Sequence, residues 1–113
     1  MARRRTAARQ QGTDEAPIPP VAEDPVEALV ARARRLRRKG DARGALVMLR
    51  RACALDEWRA RTFTLLGVAA ARQGLLDEAG RALGQARWLR ARAGEKARAA
   101  VTARLAADLR VAA

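Results

Sequence analysis

From residue 26 onward, apolar positions recur with a helical period, and before it they show no period at all. Val26, Leu29, Val30, Ala33 and Leu36 fall at i, i+3, i+4 spacing and predict a first helix. Its start is marked by Asp24 as a cap, Pro25 at the first helical position and Glu27 as the capping-box partner. Lys39-Gly40 ends it, because glycine takes the left-handed backbone that closes a helix. Asp41 then caps a second helix whose apolar side includes Ala45, Leu49, Ala52 and Leu55. A third is expected from about Asp56 to Gln73, ending at Gly74, a fourth from about Leu76 to Arg90, and a last from about Glu95 to Val111. On the last, Ala97, Val101, Leu105 and Leu109 make an apolar stripe suited to docking, with Arg98, Arg104 and Arg110 facing water. Residues 1–23 are polar, carry Gly12 and the turn Pro17-Ile18-Pro19-Pro20, and read as a disordered tail ahead of a helical domain at 24–113.

Composition sharpens this all-α reading. Alanine and arginine favour helix, whereas Val, Ile and Thr, the strand formers, are sparse. The chain contains no His, Ser, Asn or Tyr and only one Cys. Histidine-based nucleophile pairs and His or Cys metal sites are thereby excluded, so neither an enzyme nor a metal or cofactor site is expected. Cys53 has no partner for a disulfide within the chain and reads as a small core hydrophobe, with a reactive thiol as the alternative. No export signal is seen, and Leu65 to Ala71, the longest apolar run, is too short to span a bilayer. A cytoplasmic protein without membrane contact is expected.

The net charge of +12 is unevenly spread: zero over residues 1–25, +6 over 26–56, and +3 over each of 57–90 and 91–113. Lysine occurs only at positions 39 and 96, and every other base is arginine. This Arg- and Ala-rich usage is what a GC-rich genome produces, so codon bias contributes to the charge. Arg3, Arg4, Arg5 and Arg9 suggest a nucleic-acid arm, but Asp14, Glu15, Glu23 and Asp24 cancel them and no aromatic is interleaved for stacking.

Laying residues 26–59 on 60–93 aligns Gly40 with Gly74, Ala45 with Ala79, Leu49 with Leu83, Ala52 with Ala86, Leu55 with Leu89 and Arg38 with Arg72. A 34-residue helix-pair unit with Phe63, Leu66-Gly67, Gly74, Ala79, Leu83 and Ala86 resembles the tetratricopeptide repeat family. The first copy carries Leu29, Gly40, Ala45, Leu49 and Ala52 at the matching positions. It departs from the family pattern at Arg32, where Leu is usual, and at Ala33, which replaces Gly. In the second copy Ala70 replaces a large residue, and the proline that often closes a unit is missing from both. The resemblance implies a short α-solenoid: repeats at about 26–59 and 60–93, with a capping helix at about 95–111.

It also implies a concave groove lined by the first helix of each pair, holding a protein segment. Carried onto this chain, the groove positions are Glu27, Val30, Arg34, Arg37 and Arg38, then Arg61, Thr64, Val68, Ala71 and Arg72. Such a groove is basic at one end and small and apolar at its centre, suited to an acidic, partly apolar partner. The bland alternative is that Arg34, Arg37 and Arg38 form a solvated helix face. The clamp some members use for a C-terminal carboxylate is not supported, because Asn is absent and Val30 and Leu65 occupy its places.

Gly80, Gly84 and Trp88 fall four apart on the fourth helix, as a seat for a second subunit or for the last helix. Trp58 is expected to pack at the repeat junction. The preferred reading is a protein-interaction module, an adaptor, assembly factor or small chaperone. Nonspecific nucleic-acid binding and self-association are the alternatives.

Overall fold

The computed structural model describes residues 24–112, and side chains from 24 to 110. The expected tail of 1–23, with Arg3, Arg4, Arg5 and Arg9, lies outside the described residues. Five helices follow one another: α1 (Pro25–Arg38), α2 (Ala42–Leu55), α3 (Ala60–Arg72), α4 (Leu76–Arg92) and α5 (Lys96–Ala112). Among the described residues there is no strand. The described residues form an all-helical fold.

Each helix starts and stops for a local reason. The Asp24 carboxylate accepts the Val26 N–H at 2.9 Å with Pro25 at the first position, and Asp41 accepts the Gly44 N–H at 2.8 Å. Glu27 does not close a capping box; its carboxylate turns away to α3. The third helix starts four residues later than expected. Asp56 is not its cap but accepts the Trp58 N–H at 3.0 Å, and this side-chain turn keeps residues 56–59 out of the helix.

Three of the four connections share one device. Gly40, Gly74 and Gly94 take φ of +88°, +77° and +80°. In each, the glycine N–H and the next N–H bond back to the last turn: Gly40 to Arg37 and Asp41 to Leu36, Gly74 to Ala71 and Leu75 to Ala70, Gly94 to Ala91 and Glu95 to Arg90. This closure folds each helix tightly back on its predecessor. Accordingly α1 packs chiefly on α2, α3 on α4 and α4 on α5, while the α2–α3 contact is thinner.

The pairs close on small side chains. Ala52, Ala70, Ala79 and Ala86 have no exposed surface, and Gly67 is buried where α3 meets α4. A Cβ on Gly67 would fall 2.7 Å from Leu83 Cγ and 3.3 Å from the Ala79 carbonyl. Leu66 and Ala70 of α3 join Val26, Val30, Leu46, Leu49, Ala79 and Ala82 in one apolar core across both pairs. The counterparts Ala45 and Ala79, Leu49 and Leu83, Ala52 and Ala86 are all buried. Leu55 and Leu89 differ, at 60% and 6% exposed, because Leu55 ends α2 whereas α4 continues to Arg92.

Charged side chains bridge the thin seam. Arg61 Nη1 donates to both Glu27 oxygens at 2.9 and 2.8 Å, joining residues one 34-residue step apart on α3 and α1. Arg59 reaches Asp24 at 2.8 Å, Arg50 on α2 forks onto Glu78 on α4 at 2.8 and 2.7 Å, and the Gln73 amide donates to the Ala42 carbonyl at 2.9 Å.

The docking face of α5 departs from the expected stripe. Ala97, Val101 and Leu105 are exposed, and the buried residue is Thr102. Its hydroxyl donates to the Arg98 carbonyl at 2.8 Å and accepts from Arg90 Nη1 at 2.9 Å. That pairing satisfies the polar atom, so an alanine-rich face carrying Thr102, with Leu109 half-buried, lies against α4 instead. Thr62 is equally buried, and its hydroxyl has no partner among the described residues.

Two measurements check this packing. Gly67→Ala is expected to lower stability, since overpacking costs about 1–3 kcal/mol while the helix-propensity gain returns only about 1. Gly84→Ala, whose Cβ meets nothing within 4 Å, is expected to stabilise by about 0.5–1 kcal/mol; urea melts of both decide. Acid provides the second check. Arg59 holds the Asp24 carboxyl below its ordinary range, and Arg50 does the same for Glu78. The unfolded chain then binds protons at higher pH than the native one. Their contribution, complete above the unfolded carboxylate range, is lost as pH falls through the lower native values. The urea midpoint should fall below about pH 4.5, and less steeply in Arg50→Ala and Arg59→Ala.

Candidate functional site

The first helices of the two pairs present one face to solvent. On α1, Arg34, Arg37 and Arg38 are exposed and together line an open depression of about 480 Å³. Their counterparts 34 residues on are Val68, Ala71 and Arg72, which line a second depression of about 300 Å³ with Leu83 of α4 and Leu105 and Leu109 of α5. The first helices of the two pairs thus offer a cationic surface on α1 and an apolar slot on α3 with Arg72 at its edge. Among the described residues, Arg34, Arg37, Arg38 and Arg72 form no ion pair, whereas Arg50, Arg59, Arg61 and Arg98 do.

The expected groove residues divide accordingly. Arg34, Arg37, Arg38, Val68, Ala71 and Arg72 line the two depressions. Val30 does not line either: it is 1% exposed and belongs to the core between the pairs. Glu27 and Arg61 engage one another across the seam, and the half-buried Thr64 hydroxyl donates to the Ala60 carbonyl of its own helix at 3.1 Å. Leu105 and Leu109 belong to the slot although sequence reasoning had assigned them to the inner stripe of α5. The signal was present, since Leu105 lies 34 residues beyond Ala71.

The residues Gly80, Gly84 and Trp88 do not act as one seat for α5. A Cβ on either glycine meets nothing within 4 Å, so no described helix packs directly onto them. Gly80 borders a shallow gap between α4 and α5 with Leu76, Arg81, Ala106 and Leu109. Trp88 instead meets Trp58 from the α2–α3 link, with ring centroids 6.1 Å apart and planes tilted by 39°. The Arg92 guanidinium lies 5.5 Å from the Trp58 centroid and 5.3 Å from that of Trp88, within cation–π range of both. This pairing was not foreseen, because the two tryptophans stand 30 residues apart and fall off the 34-residue interval.

Cys53 is buried in the core of α2, and burial pushes its thiol from 9.0 up to about 11. Among the described residues no three His, Cys, Asp or Glu side chains gather as a metal ion would require, and no helix is long and apolar enough to cross a membrane. No known family model matches the chain, and no curated protein matches it.

The raised thiol has a direct readout. A rise from 9.0 to about 11 leaves about a hundredfold less thiolate at pH 8 than an ordinary cysteine has. Iodoacetamide labelling of Cys53 at that pH should be slow in the native protein and rapid in urea. Equal rates would show that the core around α2 is open.

Proposed function

We propose that this chain is a short helical-repeat interaction module, of the tetratricopeptide kind, which holds an acidic, partly apolar segment of another protein. The observation that carries the reading is a pair of depressions lined by positions 34 residues apart on α1 and α3. Three guanidinium groups without ion-pair partners among the described residues line the first, and Val68, Ala71, Leu83, Leu105 and Leu109 wall the second. Guanidinium forks suit carboxylates, and a slot of this size seats one or two aliphatic side chains. An amphipathic helix with leucines on one side and glutamates toward one end has the complementary chemistry. Adaptor, assembly-factor and chaperone roles are all uses of such a face.

The competing reading is nonspecific binding of nucleic acid by the same arginines. The apolar slot at the equivalent positions of α3 favours a protein segment, since a phosphate backbone gains nothing from leucine and valine.

A labelled synthetic helix built from Glu and Leu, titrated against the full chain, tests the proposal. Reversal of Arg34, Arg37 and Arg38 to Glu should weaken its binding by about tenfold or more, equivalent to about 1.4 kcal/mol. Leu105→Asp should weaken it independently, with helicity by circular dichroism unchanged in both. Equal binding by wild type and both variants would falsify the groove assignment. Tighter, steeply salt-dependent capture of duplex or single-stranded DNA, lost on the same reversal, would transfer the face to nucleic acid.

A further inference from the structure

Away from the groove, one end of the molecule carries an aromatic surface that the interaction reading leaves unused. The start of α1, the end of α2, the start of α3 and the end of α4 meet there because successive helices are antiparallel. Trp58 and Trp88 lie at this end, 66% and 49% exposed. Arg92 covers part of both rings. Beside them an open depression of about 390 Å³ is lined by Glu57, Trp58, Gln85 and Trp88. Two large aromatics left this open, in a chain with only three, form a surface that needs a flat, weakly hydrated occupant.

We infer that the tryptophan pair is the docking site of the chain's own proline segment, Pro17-Ile18-Pro19-Pro20. That segment lies outside the described residues, and the argument rests on where the described chain begins. The Asp24 carboxylate is bonded to Arg59 at 2.8 Å, and Arg59 is the residue next to Trp58. The chain therefore emerges within one arginine side chain of the aromatic pair. From Asp24 to Pro20 is four residues, a reach of about 13 Å at roughly 3.3 Å per residue, and from Asp24 to Pro17 about 23 Å.

The chemistry matches as well as the reach. A polyproline helix repeats about every three residues, so in that conformation Pro17 and Pro20 would share one edge, about 9 Å apart. Proline rings pack on aromatic faces, and the extended conformation is already restricted, so docking costs little entropy. Proline lacks an N–H, which leaves its backbone carbonyls in need of donors. The Gln85 amide and the indole N–H groups are the donors this depression offers. A chain tethered at residue 24 also holds its prolines at high local concentration, an advantage no free peptide shares.

The test uses the full-length protein and the triple variant Pro17→Ser, Pro19→Ser, Pro20→Ser, which leaves every described helix unchanged in sequence. In the wild type, proline ring protons should resonate upfield of their free-peptide positions through ring currents. Those shifts should be lost in Trp58→Ala and Trp88→Ala. Acrylamide quenching of tryptophan should rise in the triple proline variant with no change in circular dichroism. The signals should not depend on protein concentration, and reversal of Arg34, Arg37 and Arg38 should leave them in place, separating this end from the groove. Free-peptide proline shifts together with identical quenching in wild type and proline variant would overturn the inference. Shifts that grow with concentration, alongside a dimer by light scattering, would also overturn it and give the aromatic surface to a second copy.

Discussion

Close approach between neighbouring helices is the constraint from which the rest of this structure follows. With three aromatics and an alanine-rich interior, the chain cannot fill a wide core. It brings helix backbones together instead. Ala52, Ala70, Ala79 and Ala86 sit without exposed surface at the crossings, and Gly67 leaves Leu83 no room for even one added carbon. Buried alanines contribute little each, but many atoms at contact distance sum to a cohesive interior. Close approach also demands sharp reversals, which the left-handed glycines at positions 40, 74 and 94 provide. Arginine is excluded from so narrow a space, so the long cationic side chains stand outward on every helix.

The seam between the two pairs is built differently. The core passes through it at Leu66 and Ala70, but much of what spans it is polar: Arg59 with Asp24, Arg61 with Glu27, Arg50 with Glu78, and Gln73 with the Ala42 carbonyl. Exposed ion pairs contribute only about 0–1 kcal/mol each, so their main effect is on geometry rather than stability. The forked Arg50–Glu78 contact on one side and Arg61–Glu27 on the other fix how far the second pair can rotate against the first. That rotation sets the distance between the arginines of α1 and the slot on α3 and α5. Stability of each pair and the shape of the proposed binding face therefore depend on different residues.

What could be read from the sequence was whatever local chemistry decides. The Asp24-Pro25 start, the Asp41 cap and the turns at Gly40 and Gly74 need only neighbouring residues, and they stand where the pattern put them. The facing of α5 was not legible. Alanine covers much of its circumference, so the choice of face falls to Thr102, whose hydroxyl finds partners in Arg90 and the Arg98 carbonyl. Asp56 has the character of a helix cap, but a competing bond to the Trp58 N–H captures its carboxylate. Val30 lies in the core rather than the groove; a helical wheel does not tell the inner side of a helix stack from the side that meets its partner helix. The Arg59–Asp24 bond joins positions 35 apart and leaves no mark on local pattern.

The arginines of α1 can be weighed against the simplest account of them. Arg35, Arg37 and Arg38 lie in the last turn of α1, where a cation gains about 0.3–1 kcal/mol from the helix dipole. That term rewards charge at this end whatever its direction around the axis, and it falls off within one turn. It does not reach Arg34 with equal force; Arg34, Arg37 and Arg38 line one depression, and Arg35 does not, because their i, i+3, i+4 spacing puts those three on one face of α1. Like charges so close repel, and the structure accepts that cost without placing a described carboxylate among them, although it sends Glu27 and Glu78 to arginines elsewhere. In the proposed function such a cluster would be relieved by an incoming carboxylate. The dipole accounts for arginine at the helix end, and a carboxylate from the proposed partner would supply the counter-charge that no described residue places there.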